Sequence, residues 1–311
     1  MESGTPVPAD SPYLSTSTAL HLAGLTLTIH GLSHLPPAPA RITALHLLHP
    51  RLETSSYMNA ISHHSLSAHH STNPSRGLIT ISFDQRNHGQ RLVSAARNEA
   101  WKQGNPTHAV DMFSMYHGTS VDVSLIIDYL QSALFADEAS GYEIDTHIVS
   151  GVSLGGHAAY LCLLNEPRIS AAGAVIGCAD FAALMTQRAE KTRIVGFKVG
   201  GCVQFPRALE ETVGRVDFGG VGRKKGWEEV ARKVKGKRLL ALTGNRDKLV
   251  PADCSEEVLR ALRKMDGFEI VEKGFDAGHE CTPQMVAVLA EWVKGVVADF
   301  DGKNGQVKAK Y

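Results

Sequence analysis

The chain has 311 residues, enough for one large core or two smaller ones. Its 32 basic and 32 acidic residues cancel, and 43% hydrophobic with 21% charged residues is ordinary for a soluble globular chain. That balance gives no electrostatic ground for a nucleic acid or an anionic membrane as partner, and no apolar run of about eighteen residues is present to span a bilayer.

Residues 1–20 are rich in Ser, Thr and Pro, lack a cationic start followed by an apolar run, and read as a flexible tail without a secretory signal. The five cysteines, Cys162, Cys178, Cys202, Cys254 and Cys281, are odd in number and never spaced as a CxxC pair. That pattern fits a reducing compartment, so the expected location is cytoplasmic.

From residue 21 to 48, strand-like apolar runs are separated by Gly31 and Pro36-Pro37, and the last run stops at His49-Pro50. The pairs His63-His64 and His69-His70 lie among Ser and Asn with no Cys or carboxylate near, which reads as a polar loop rather than a metal site. A second buried-type strand covers 78–83 and ends at Asp84. Short β-rich runs without alternation suit parallel strands covered on both faces.

Met112, Phe113, Met115 and Tyr116 form either the core face of a helix or the wall of an acyl pocket. Val123, Ile126, Ile127, Leu130 and Leu134 recur at helical spacing. A strand near 146–150 leads into Gly151-Val152-Ser153-Leu154-Gly155-Gly156, and an apolar helix follows. Strand-like runs recur at 171–176 and 238–242, and 268–273 alternates as a half-exposed edge strand does. The last helix opens with Thr282 as N-cap and Pro283 in its first turn. Alternating strands and helices predict an α/β architecture, a mostly parallel central sheet with helices on both faces. Between 181 and 234 the alternation lapses, and this stretch is expected to be a small lid insertion into a core of 21–180 and 235–311. Its basic run from Arg223 to Arg238 is broken by Glu228 and Glu229 and reads as a solvated helix face.

The G-x-S-x-G turn between a strand and a helix carries the strongest chemical signal. A serine at so sharp a turn needs flanking glycines, and the helix N-terminus behind it favours a developing oxyanion. Asp247 follows the strand at 238–242 and His279 follows the one at 268–273. The order Ser153, Asp247, His279 is that of nucleophile, orienting acid and base in such sheets. Asp180 and Asp276 are the competing acids, the first just past a strand and the second only three residues before His279.

From residue 42 to 300 these motifs resemble the α/β-hydrolase superfamily. The GxSxGG form is similar to its dienelactone-hydrolase-like and prolyl-oligopeptidase-like branch. Gly244-x-x-Asp247-x-x-Val250-Pro251, Gly278-His279 and Asp84-Gln85-Arg86-Asn87-His88-Gly89 resemble its acid loop, base loop and fourth-strand loop. The chain departs from the pattern after the third strand. His49-Pro50-Arg51 stands where His-Gly is common, and proline has no N–H to donate. The oxyanion donors are therefore expected to be the backbone N–H groups of Arg51 and Leu154. The Arg51 side chain reads first as a surface group, with contact to an acidic substrate group as the alternative.

The resemblance implies a serine hydrolase that acts on a small-molecule acyl substrate and needs no metal or organic cofactor. Ester or thioester cleavage is the leading expectation. A peptidase or amidase, an acyl transferase or C–C hydrolase, and a non-catalytic binding protein of the same fold are the alternatives. Oligomeric state stays open, a homodimer included.

Overall fold

The computed structural model describes residues 5–303. Its strands are β1 (Thr18–Leu22), β2 (Leu25–His30), β3 (Ala40–Leu48), β4 (Gly77–Phe83), β5 (Tyr142–Val152), β6 (Ile169–Val175), β7 (Arg238–Gly244) and β8 (Glu269–Phe275). They form one sheet in the order β1-β2-β4-β3-β5-β6-β7-β8. The β1–β2 hairpin joins β4 antiparallel, and every pair from β4 to β8 is parallel.

Successive side chains of a strand point to opposite faces, so each parallel strand needs cover on both. Ile42 and Ala44 of β3 enter one apolar cluster, while Leu45 and Leu47 enter another. The first cluster is completed by α2 (His108–Leu134) and α3 (Leu154–Asn165), the second by α1 (Asn59–His70) and α9 (Pro283–Lys303). On α9, Thr282 receives the Met285 N–H at 3.3 Å, as its N-cap position predicts.

Residues 181–234 fold as α4 (Phe181–Thr192), α5 (Arg207–Val216), α6 (Phe218–Lys225) and α7 (Trp227–Val234), and α8 (Glu256–Leu262) follows β7. Leu184, Phe205, Val213, Phe218, Val221 and Val230 all belong to the first core cluster. This segment is thus packed into the body of the domain, and it carries the crossover from β6 to the parallel β7.

Two expectations are corrected here. Much of the proposed flexible tail is docked: Ser11 is buried and hydrogen-bonds His63 Nδ1 at 2.7 Å, and Thr18–Leu22 is strand β1. The His63/His64 and His69/His70 stretch is the helix α1, not a loop. Tyr13 stacks on His70 with ring centroids 5.4 Å apart and also meets His34 and His63. Imidazoles offer flat apolar faces together with a donor and an acceptor at the ring edge, so a run that looks polar in sequence holds the segment down. Residues 1–4 lie outside the described residues.

Burial leaves a set of neutral imidazoles in this fold. It lowers His49, His69 and His147 to about 4 and His108 and His157 to about 3, and takes His46 well below the ordinary value. Unfolded, these groups bind protons near pH 6.5. Between that pH and about 4, unfolding therefore takes up protons, and stability falls as the pH falls. Denaturant melts at about pH 7, 6 and 5 are expected to show a steep loss, up to about 1.4 kcal/mol per pH unit for each such histidine. His147→Gln should flatten that dependence by about one proton.

Candidate active site

Ser153 stands between the last residue of β5 and the first of α3, with φ 52° and ψ −108°. A side chain at positive φ costs on the order of 1–3 kcal/mol, so the surroundings must hold it there. The Ser153 N–H donates to the Val175 carbonyl at 2.9 Å, and its own carbonyl accepts from His157 N–H at 2.9 Å. A Cβ on Gly155 would overlap the Leu48 carbonyl oxygen, and one on Gly151 would overlap the backbone of Gly155. Only glycine lets the turn close this tightly.

Asp247 and His279 come from adjacent loops. β7 and β8 run in register to Gly244 and Phe275, and the loops stay tied beyond them through Asn245 N–H to Phe275 O (2.7 Å) and Arg246 N–H to Ala277 O (3.0 Å). The Ser153 Oγ lies 2.8 Å from His279 Nε2, and His279 Nδ1 lies 2.7 Å from Asp247 Oδ2. Asp247 Oδ1 accepts from the N–H groups of Leu249 (2.8 Å) and Val250 (2.9 Å). Burial pushes this carboxyl up, but the His279 bond and the two backbone donors outweigh it, and the net value is below the ordinary one. An ionised Asp247 can only accept, so Nδ1 of His279 carries the proton and Nε2 is free to take one from Ser153.

The competing acids are committed elsewhere. Asp180 caps α4 by accepting from Ala183 N–H and is bound by both arms of Arg223, at 2.6 and 2.8 Å. Asp276 is exposed and pairs with Arg246 at 2.8 Å.

The loop after β3 is organised by residues that sequence reasoning passed over. Gln85 N–H donates to His49 Nε2 at 2.9 Å, which places the imidazole proton on Nδ1. That proton is donated to the Pro50 carbonyl at 2.7 Å, and the Gln85 amide also donates to the His49 carbonyl. In a trans peptide the carbonyl and the following N–H point in opposite directions. Pinning Pro50 O to the imidazole therefore turns the Arg51 N–H the other way, and it has no acceptor among the described residues. Leu154, at the first position of α3, has an N–H with no acceptor within the helix. Asp84 holds the flanks by accepting from Ser55 N–H and Gln90 N–H, each at 2.8 Å. The only sequence signal for Gln85 was its place inside the Asp84–Gly89 motif.

No known family profile matches the chain, and no curated protein sequence does. Solved structures do match it over nearly its whole length. A Thermus thermophilus protein, TT1662, is similar with a TM-score of 0.61 and 20% identity over 90% of this chain and 97% of its own. The Pyrococcus furiosus esterase Pf2001 is similar with a TM-score of 0.53 and 14% identity, covering 95% of each chain. The Pyrococcus horikoshii acylaminoacyl peptidase gives 0.54 and 13% over 95% of this chain, which spans 42% of that protein. The chain has the α/β-hydrolase fold.

In this fold instance a cavity of about 480 Å³ opens over Ser153 and His279, walled by Pro50, Arg51, Tyr57, Ile176, Leu249 and Cys281 among others. Met112, Phe113, Met115 and Tyr116 are not in its wall. They are buried in the core, where Phe113 and Tyr116 meet the ring of Phe181. Among the described residues no helix is long and apolar enough to cross a membrane.

The strained turn yields a stability prediction. Ser153→Gly removes the steric cost of positive φ, less the entropy glycine loses on folding, for a net gain of about 1 kcal/mol. Thermal melts should show Tm raised by about 2 °C, whereas Ser153→Ala, which keeps the Cβ, should give no such rise.

Proposed function

We propose that this protein is a serine hydrolase that cleaves a carboxylic ester or thioester through an acyl-enzyme on Ser153. The observation that carries this reading is the unbroken relay from hydroxyl to imidazole to carboxylate, 2.8 Å and then 2.7 Å. In the first step Ser153 Oγ attacks the acyl carbonyl while His279 Nε2 takes its proton. Asp247 stabilises the imidazolium and holds its tautomer. The tetrahedral oxyanion is met by the backbone N–H groups of Leu154 and Arg51, and each such donor is worth about 3 kcal/mol in the barrier. The imidazolium then protonates the leaving group as the C–O or C–S bond breaks. Water enters, gives its proton to His279 and attacks the acyl carbon, which returns Ser153 and frees the acid.

The cavity volume of about 480 Å³ supports small acyl substrates over peptides. Cysteine usage supports an intracellular, reducing location.

A fluorophosphonate probe is expected to label wild-type protein stoichiometrically and to leave Ser153→Ala unlabelled. On p-nitrophenyl esters of short to medium chain length, Ser153→Ala should lose about a millionfold in kcat. Asp247→Asn should lose about ten-thousandfold, because its amide favours the wrong tautomer of His279. Full labelling of Ser153→Ala, or wild-type turnover by Asp247→Asn, would sink the assignment.

A further inference from the structure

Among the described residues, nearly every arginine lies within ion-pair distance of a carboxylate; Arg51, Arg188, Arg193 and Arg215 do not. Water accounts for two of them, since Arg193 and Arg215 are exposed. Arg51 and Arg188 are half-buried; Arg51 lines the cavity over Ser153, and Arg188 reaches the backbone of Leu249, a residue of its wall.

Arg51 forms part of the cavity wall, and one arm of its guanidinium donates to the Asn98 carbonyl at 2.6 Å. Arg188 reaches from α4 to the acid loop. Its Nε and Nη2 sit 3.4 and 3.3 Å from the carbonyl of Leu249, a residue of the same wall. Its Nη1 meets Met112 Sδ at 3.0 Å and His108 Nε2 at 3.2 Å. His108 Nδ1 faces the Glu99 carbonyl at 3.1 Å, so the proton is there and Nε2 is a neutral acceptor. Every one of these partners is uncharged.

The two cations repel. Arg188 is pushed down to about 10, first by burial and then by Arg51, and burial also lowers Arg51. The nearby carboxylates do not neutralise them. Asp247 is held by His279, Glu99 attracts Arg51 without an ion pair, and Glu53 and Glu280 stand elsewhere in the cavity wall, Glu280 exposed. A guanidinium partly withdrawn from water without a counter-charge carries a desolvation cost, and a site that binds an anion is where that cost is recovered. Arginine's planar fork matches a carboxylate.

We propose that Arg51 and Arg188 recognise a free carboxylate on the substrate, so that the preferred ester carries an acid group close to its scissile carbonyl. This rests on the hydrolase reading above, and two assays separate the failures. The first compares mono-p-nitrophenyl glutarate with its methyl ester, and 4-acetoxybenzoate with its methyl ester, which places the acid on the acyl or the leaving-group side. At least one pair should favour the acid by about tenfold or more in kcat/KM, the worth of a charge-assisted contact. Arg188→Met should collapse that ratio to under about threefold through KM, and Arg188→Lys should keep part of it. The second assay needs no turnover. Calorimetry on Ser153→Ala should show binding of glutarate but not of glutaramide, and it should be lost in the Ser153→Ala, Arg188→Met double variant. Parity in both ester pairs with Ser153 labelled, or equal binding of glutarate and glutaramide, would overturn the carboxylate site and leave the hydrolase standing. Glutarate binding without labelling or turnover would do the reverse.

Discussion

The turn at Ser153 constrains everything around it. Gly155 rests on the Leu48 carbonyl and Gly156 comes within reach of the Val175 carbonyl, where an added Cβ would sit 2.9 Å away. The start of α3 is thereby wedged between the ends of β3 and β6. Because His49 follows Leu48 directly, the contact that sets the serine also sets the root of the loop bearing Arg51. A strain on the order of 1–3 kcal/mol persists only if the neighbours over-determine it. They do so from both ends of the helix. Lys237 Nζ donates to the Leu163 and Glu166 carbonyls, each at 2.8 Å, at the far end of α3. Burial lowers this amine to about 8, against the pull of Glu166. A cation at a helix C-terminus complements the same dipole whose positive end lies behind Ser153.

The β3 loop shows how a departure from a common pattern is accommodated. With Pro50 in place of glycine, one N–H is gone and the chain is stiffer. The His49 bond to Pro50 O orients the next peptide, and Gln85 fixes the tautomer that makes that bond. Burial lowers His49 to about 4, so the orientation holds at neutral and mildly acidic pH. A buried hydrogen-bond chain thus orients the Arg51 peptide in place of glycine's backbone freedom.

What was legible in the sequence follows the range over which each feature is encoded. The elbow, the Gly244–Pro251 loop and the Gly278-His279 step are each written within a single turn, so residue type and spacing sufficed to name them and their order. The parallel sheet was legible for a similar reason, since strands covered on both faces read as unbroken apolar runs. Partnerships across the chain were not. His49 and Gln85 are 36 positions apart and Arg188 and Leu249 are 61 apart, and nothing in either local stretch announces the other. The docked N-terminal segment and α1 were missed because ring contacts of Tyr13 with His34 and His70 leave no amphipathic period. The segment 181–234 broke the strand–helix alternation and so read as an addition, although its apolar residues complete the core.

In the proposed acyl transfer, the charges around the cavity act in opposite senses on the two ions the reaction creates. Positive charge on Arg51 and Arg188 favours the tetrahedral oxyanion and disfavours the imidazolium. Asp247 offsets the second effect at contact distance, 2.7 Å, and its ionised form is secured by two backbone donors. Coulomb energy falls with distance, so the contact pair outweighs the remoter cations on His279. Buried His108 and His157 stay neutral and add no further repulsion. An anionic substrate would change this balance once bound, quenching the arginines and leaving Asp247 unopposed. The imidazolium would then be best stabilised only while substrate is in place, which couples the proton transfer to occupancy of the site.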